Sequence, residues 1–331
     1  MQITARNVND AISEAFWKLK VMGVKEDSRN GPVLAFPEPV TTIYKKPDER
    51  VLFWGERDAN PIFHLLEAVW MLSGSQDVLF PSLFNSRISQ YSDDGVIFNA
   101  AYGYRWRRHF GFDQLLAVIN LLKEDPQSRQ AVIQIWDTSD LVKTTKDKAC
   151  NTQVYFEIRQ NRLNMTVVNR SNDMWYGCYG ANAVHFSVLQ EFVARAVGVP
   201  LGEYRQFSNN LHLYTELYDA KQHVLFPPDP EGYNLYATQG IKPYPLFEHS
   251  QYREWLYDAE NFVKDPFKYP KDAYAFFREV AYPMAMISHD RKNKIGDGLR
   301  WVNNIQADDW LIACLDWIER RESAKTQGEV K

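Results

Sequence analysis

The chain has 331 residues, 45% of them hydrophobic and 24% charged, with a formal charge of −4. That length supports a sizeable core in one large or two ordinary domains, and the mild acidity gives no electrostatic basis for non-specific binding to nucleic acid or an anionic membrane. Three cysteines without CxxC spacing, no apolar run long enough for a membrane span and no basic-then-apolar leader argue against a disulfide scaffold, a cysteine zinc site, an anchor or secretion, and a cytoplasmic protein is expected.

Residues 7–22 carry Val8, Ile12, Ala15, Phe16 and Leu19 at helical spacing. Short β segments are expected around 33–36 and 51–54. Pro61 opens the helix PIFHLLEAVWMLSG, apolar nearly all round and therefore buried, and Gly74 closes it. A second helix, FDQLLAVINLLKEDP, stops at Pro126, and the run QAVIQIW reads as a strand. TQVYFEIRQ and LNMTVVNR flank a polar turn, which is a hairpin signature. ANAVHFSVLQEFVARAVG is a long helix ending at Gly198, and EYRQFSNNLHLY reads as one further strand. Beyond residue 225 the chain is rich in aromatics and proline, then helical. Strands and helices mix without strict βαβ alternation, so the expected class is α+β: a mixed sheet flanked by helices over 1–225, with an aromatic-rich, mostly helical extension over 226–331 packed on it.

Three places could carry chemistry. Cys150 stands just ahead of the hairpin among Lys146, Lys148 and Asn151. Nearby positive charge lowers a thiol pKa below its free value of about 8.5 and makes the thiolate available, although a buried structural cysteine is the ordinary alternative. Twenty residues on, NRSND brings Asn169, Arg170, Ser171, Asn172 and Asp173. Antiparallel pairing returns this segment toward Cys150, where Arg170 meets the thiol or a phosphate; a hydrogen-bonded turn is the plainer reading. Glu67 interrupts FHLLEAVWML, and a carboxylate there either lies on a narrow polar stripe or lines an internal polar site where it serves as an acid or base.

With these residues in view, the chain resembles thymidylate synthases and their relatives, the pyrimidine nucleotide hydroxymethylases. SRNG resembles the family's phosphate-arginine loop and gives Arg29; EAVWMLSG gives Glu67; YGYRWR gives Tyr102; DPQSRQ gives Arg129; RSND gives Arg170, Ser171 and Asp173; HLY gives His212 and Tyr214. Asn182 matches the family's base-reading asparagine if one residue is inserted before it. The motifs cover about residues 8–225.

The resemblance implies one-carbon transfer to C5 of a pyrimidine nucleoside monophosphate, with 5,10-methylenetetrahydrofolate as co-substrate and no metal. Addition of the Cys150 thiolate to C6 makes C5 nucleophilic, splitting one hard step into easier ones. Tyr102 beside Glu67 is implied in removing the C5 proton. Arg29 and Arg170 would hold the phosphate, with Arg129 entering from the second subunit of a homodimer. His212 and Tyr214 would bind the 3′-hydroxyl, and Ser171 and Asp173 would order the hydrogen-bond network. Asn182, where cytosine-selective relatives carry aspartate, favours uracil, but a flipped amide would also accept cytosine.

The chain departs from ordinary synthases in ways that favour addition of water over hydride at the last step. Gln130 replaces a second phosphate arginine, and Ala149 and Asn151 replace the usual proline and histidine around the nucleophile. The tryptophan-rich shield has no clear match in SRISQYSDDGVIFNAAYG, and the chain runs about a hundred residues past HLY to end in a polar tail. Hydroxymethylation of dUMP (or dCMP) is therefore the leading expectation, and synthesis of dTMP the alternative. A non-catalytic nucleotide- or RNA-binding homologue, using the basic and aromatic YRWRRHF, is the reading from another class.

Overall fold

The computed structural model describes residues 1–226, 231–248 and 251–326. In chain order the strands are β1 (Gln2–Ala5), β2 (Val24–Glu26), β3 (Val33–Ala35), β4 (Val40–Tyr44), β5 (Val132–Gln134), β6 (Asn151–Arg159), β7 (Arg162–Asn169), β8 (Asn172–Asp173), β9 (Leu201–Ser208) and β10 (Leu211–Tyr214). The larger sheet runs β1-β4-β9-β7-β6-β5 and is mixed, β7 and β9 being parallel and β6 and β7 antiparallel. The smaller runs β2-β3-β10-β8. Helices flank both, so the class is α+β as the sequence implies.

The helices begin and end where local chemistry says they should. Asn7, Asn60 and Asp113 cap the helices Val8–Met22, Pro61–Ser73 and Gln114–Glu124 by accepting from Asn9, Phe63 and Leu116 amides at 3.0–3.1 Å. Pro61 takes the first position of its helix, and Gly74 and Gly198 close theirs at positive φ.

Two β expectations are corrected. Residues 51–54 form no strand: the Asn9 side chain donates to Val51 O and accepts from Phe53 N, both at 2.9 Å, taking the place of a neighbouring strand. The run EYRQFSNNLHLY is two strands in two sheets. Asn209 N donates to Asn169 O and Asn172 N to Asn210 O, each at 2.8 Å, so the chain leaves the larger sheet and enters the smaller one at this asparagine pair.

The β6–β7 hairpin positions the site. Gln160 and Asn161 take φ of 50° and 56°, the left-handed pair of a two-residue turn. The turn's register runs to Gln153 opposite Val168; a bulge at Thr152 then shifts it by one, so that Asn151 pairs with Asn169 at the open end and Arg170 N donates to Cys150 O at 2.9 Å. The turn therefore sets the pairing as far as the bulge, and the bulge sets which residues meet beyond it.

The C-terminal helices Tyr252–Lys264, Tyr282–Lys292 and Asp308–Thr326 pack against the Pro61–Ser73 helix. Trp255 is fully buried among the rings of Phe192, Phe247, Phe276 and Phe277. Trp310 and Trp317 are buried as well, whereas Tyr257 stands in solvent. Polar ties reinforce this packing: Arg50 pairs with Glu191 at 2.6 Å, Glu191 accepts from Leu246 N, and Tyr236 donates to Asp309 at 2.9 Å. Residues on both sides of position 225 thus share one hydrophobic core.

Candidate active site

The half-buried Cys150 sits at the open end of the hairpin. Its backbone N–H donates to the Tyr102 hydroxyl at 3.3 Å, and its Sγ lies 3.8 Å from Arg170 Nη2. Arg170 is itself held by the main chain before Cys150, Nε donating to Ala149 O at 2.9 Å and Nη2 approaching Lys148 O at 3.4 Å. The guanidinium also faces the Trp136 ring at 5.6 Å. The expected meeting of thiol and arginine is present.

The expected drop in thiol pKa is not. Burial pushes the Cys150 thiol above its ordinary value; Arg170 and Arg29 pull it back, while Asp147 and Asp173 push it further. Before substrate binds, desolvation outweighs the two arginines. The thiol therefore favours its protonated form more than a free cysteine does. Tyr102 is likewise raised, first by burial and then by the neighbouring sulfur, so its hydroxyl keeps its proton.

The Glu67 helix packs on the helix Asn182–Val197 and on the Tyr102 segment, where Gly103 lies so close to the Met71 backbone that a Cβ would fall 1.8 Å from Met71 O. Glu67 faces inward. Its Oε2 lies 3.1 Å from Nε2 of His185, whose side chain is 5% exposed. That nitrogen makes no well-aligned hydrogen bond among the described residues. Behind it His64 packs edge-on at 6.5 Å, its pKa lowered by burial, by His185 and by Arg57.

Asp173 and His212 are register partners across β8 and β10. Burial raises the Asp173 carboxyl despite the Tyr176 amide, His212 and Arg57, and burial lowers His212 despite Asp173. Asp173 Oδ2 is buried without a hydrogen-bond partner among the described residues. His212 Nδ1 lies 2.7 Å from Asn210 Oδ1, and Tyr214 stands edge-on to the same ring at 5.6 Å. Half-buried Ser171 lies between Arg170 and β8.

Asn182 opens its helix as expected, and its Nδ2 donates to Asn172 Oδ1 at 3.1 Å. Ahead of it, Met174–Ala181 is a wide-turned segment kinked at Tyr179 and Gly180, whose backbone leaves helical geometry just before Asn182. Arg29 lies in an exposed turn and reaches the site through its charge on the thiol. Arg129 is exposed in the loop before β5 and has no ion pair or hydrogen bond among the described residues.

Sequence reasoning missed three groups: buried His185 and Arg57, and half-buried His64. Arg57 lies over the Trp175 ring at 4.6 Å and is lowered to about 10 by burial. The available signal for His185 was its i+3 spacing from Asn182 in an otherwise apolar stretch. The basic stretch YRWRRHF is largely taken up by ion pairs within the chain. Arg105 is buried on Asp140, Arg107 pairs with Asp113 and Glu260, and His109 lies 2.7 Å from Asp137. Among the described residues no group of three His, Cys, Asp or Glu could hold a metal, and no helix is long and apolar enough to cross a membrane.

Residues 57–230 match the thymidylate synthase family model. The chain is 46% identical to the deoxyuridylate hydroxymethyltransferase of Pseudomonas phage M6, over 97% of this chain and 95% of that protein. It is 40% identical to the protein of the same description from Bacillus phage SP01, over 55% of this chain and 51% of that one. The counterpart from Delftia phage PhiW-14 is 31% identical over 67% and 65%. A thiol, an arginine on its sulfur and an inward carboxylate, held in a matching sequence of this extent, make the chain a member of the thymidylate synthase family.

Proposed function

We propose that the protein hydroxymethylates C5 of dUMP, with methylenetetrahydrofolate as second substrate and Cys150 as covalent nucleophile. The observation that carries this reading is the similarity to the phage M6 deoxyuridylate hydroxymethyltransferase over nearly the whole of both chains, which takes in the C-terminal helices as well as the family domain.

The residues divide the chemistry as follows. Arg29 and Arg170 neutralise the phosphate, and Arg129 serves the partner's site in a homodimer. Cys150 Sγ bonds to C6 and the ring's electron pair moves to C5, which bonds to the incoming carbon. Glu67 then takes the C5 proton through water, with His185 against its carboxylate and the Tyr102 hydroxyl closing the network. The thiol proton passes to the folate nitrogen whose bond to the carbon breaks as the carrier opens. Glu67 passes the C5 proton to the second nitrogen as tetrahydrofolate leaves, which frees Glu67 and leaves an exocyclic methylene on the ring. The oxygen of a water bonds to that carbon, its proton passes to the Glu67–His185 pair, and the Cys150 thiolate leaves as the C5–C6 double bond reforms. The unpaired Asp173 Oδ2 is a spare acceptor suited to a ring N–H of the second substrate. His212 and Tyr214 take the sugar hydroxyl.

The test is the product of purified protein with dUMP and methylenetetrahydrofolate. Hydroxymethylated dUMP by mass, without the absorbance rise of dihydrofolate, is the expected result; dTMP with that rise would overturn the reading.

A further inference from the structure

The base-reading amide is the last member of a buried relay. Asn182 Nδ2 donates to Asn172 Oδ1 at 3.1 Å, and Asn172 Nδ2 donates to Gln206 Oε1 at 2.9 Å and Ser208 Oγ at 3.1 Å. Gln206 Nε2 donates to the Cys178 carbonyl at 3.1 Å. Four of these five residues are no more than 3% exposed, and Asn182 is 9% exposed.

A carbonyl only accepts, so the far end of this relay has one polarity. Turning Gln206 over would set its oxygen against the Cys178 oxygen, which also accepts from the Tyr44 hydroxyl at 3.3 Å. Buried as they are, the groups have no water to repair the clash. Polarity then passes up the line: Gln206 presents an acceptor, Asn172 turns its amine to it and its carbonyl to Asn182, and Asn182 must answer with its amine. Amide orientation follows from the network it sits in, and this one ends on a fixed group. Gly177 completes the setting, because a Cβ there would fall 2.7 Å from Asn172 Oδ1.

We propose that Gln206 and Asn172 determine the choice of base, by locking the Asn182 carboxamide in the orientation that reads uracil. This rests on the reading of Asn182 as the residue facing the base. With one amine proton spent on Asn172, Asn182 offers its second N–H to O4 and its carbonyl oxygen, which accepts from no described residue, to N3–H. Cytosine would require the reverse, with the Asn182 oxygen at N4 and its amine at N3. That flip would set the Asn182 and Asn172 oxygens against each other. An asparagine that could serve either base is thereby committed to one by a glutamine that touches neither, and Gln206 is a positioning residue.

The experiment titrates dUMP and dCMP into wild type, Gln206→Leu, Gln206→Glu and Asn172→Ala, and compares the ratio of the two dissociation constants, with kcat/KM alongside. Gln206→Leu and Asn172→Ala free the relay and should cut the preference for dUMP at least tenfold. Gln206→Glu should keep the preference within threefold, because a buried, protonated carboxyl donates to Cys178 O and accepts from Asn172 as the amide does. Should the leucine variant not fold, the glutamate and alanine variants still decide. An unchanged ratio in Asn172→Ala, or a collapse in Gln206→Glu, overturns the proposal. Wild-type product mass tests the proposed function separately, since the binding ratio reads the relay whichever product forms.

Discussion

Arg170→Ala is the perturbation whose size follows most directly from the site. The guanidinium lies 3.8 Å from Cys150 Sγ. Coulomb's law at that separation gives about 1 kcal/mol in bulk water and about 4 kcal/mol at an effective dielectric of 20. Arg170 is exposed, which places the figure toward the lower end, at roughly 1.4 kcal/mol or about one pKa unit. The sign is unambiguous: a cation favours the thiolate, so its removal raises a pKa that burial has already raised. At neutral pH the thiolate fraction, and with it the rate of alkylation by iodoacetamide, should fall about tenfold, and the rate–pH curve should move up by about one unit. The gap should narrow as salt is added, because exposed charge is screened. Arg170→Lys should recover part of the rate but not all, since a lysine lacks the fork that ties the guanidinium to Ala149 O. Alkylation as fast in Arg170→Ala as in wild type, at low salt, would refute the claim that this arginine tunes the sulfur.

Other consequences are equally direct. His185→Leu removes the imidazole 3.1 Å from Glu67; kcat should fall 10- to 100-fold or about that, while the dissociation constant of dUMP stays within about threefold. Asp140→Ala strands Arg105, whose pair is at most 2% exposed, and should cost about 3–5 kcal/mol in denaturant unfolding. Burial raises the Asp309 carboxyl from 3.8 to about 6, so its protonated form is the one that suits the folded chain. That stabilisation is complete below about pH 4 and lost as pH rises through 6, so Asp309→Asn should be more stable than wild type by up to roughly 3 kcal/mol at pH 8 and close to it at pH 4.

What could be read in advance, and what could not, follows from how far apart the interacting residues lie in the chain. Cys150 and Arg170 come near because a two-residue turn returns the second strand along the first, and both turn and alternation are local features; the bulge at Thr152 that shifts the final register by one had no such signature. Glu67 was legible as a misfit, a carboxylate in an apolar helix, yet its partner His185 lies on another helix, where its spacing from Asn182 marks a polar position but does not tie it to Glu67. The amide relay was invisible for the same reason: Asn172 and Gln206 are 34 residues apart and look like ordinary polar positions of strands. The thiol pKa was misjudged because the sequence displays the lysines of the loop but not the burial that outweighs nearby charge. The broken strand at Asn209–Asn210 was missed because a change of sheet depends on which edges are available, which periodicity alone does not encode.

The central claim is a covalent bond from Cys150 to the pyrimidine, and 5-fluoro-dUMP tests it directly. Fluorine at C5 cannot leave as a proton does, so the chain should stall as an adduct with nucleotide and methylenetetrahydrofolate. Mass spectrometry of the denatured protein should show one nucleotide and one folate per chain, located on the peptide bearing Cys150 and absent from Cys150→Ala. A protein that binds the nucleotide yet returns with unchanged mass, or carries the adduct on Cys178 or Cys314, would contradict the account.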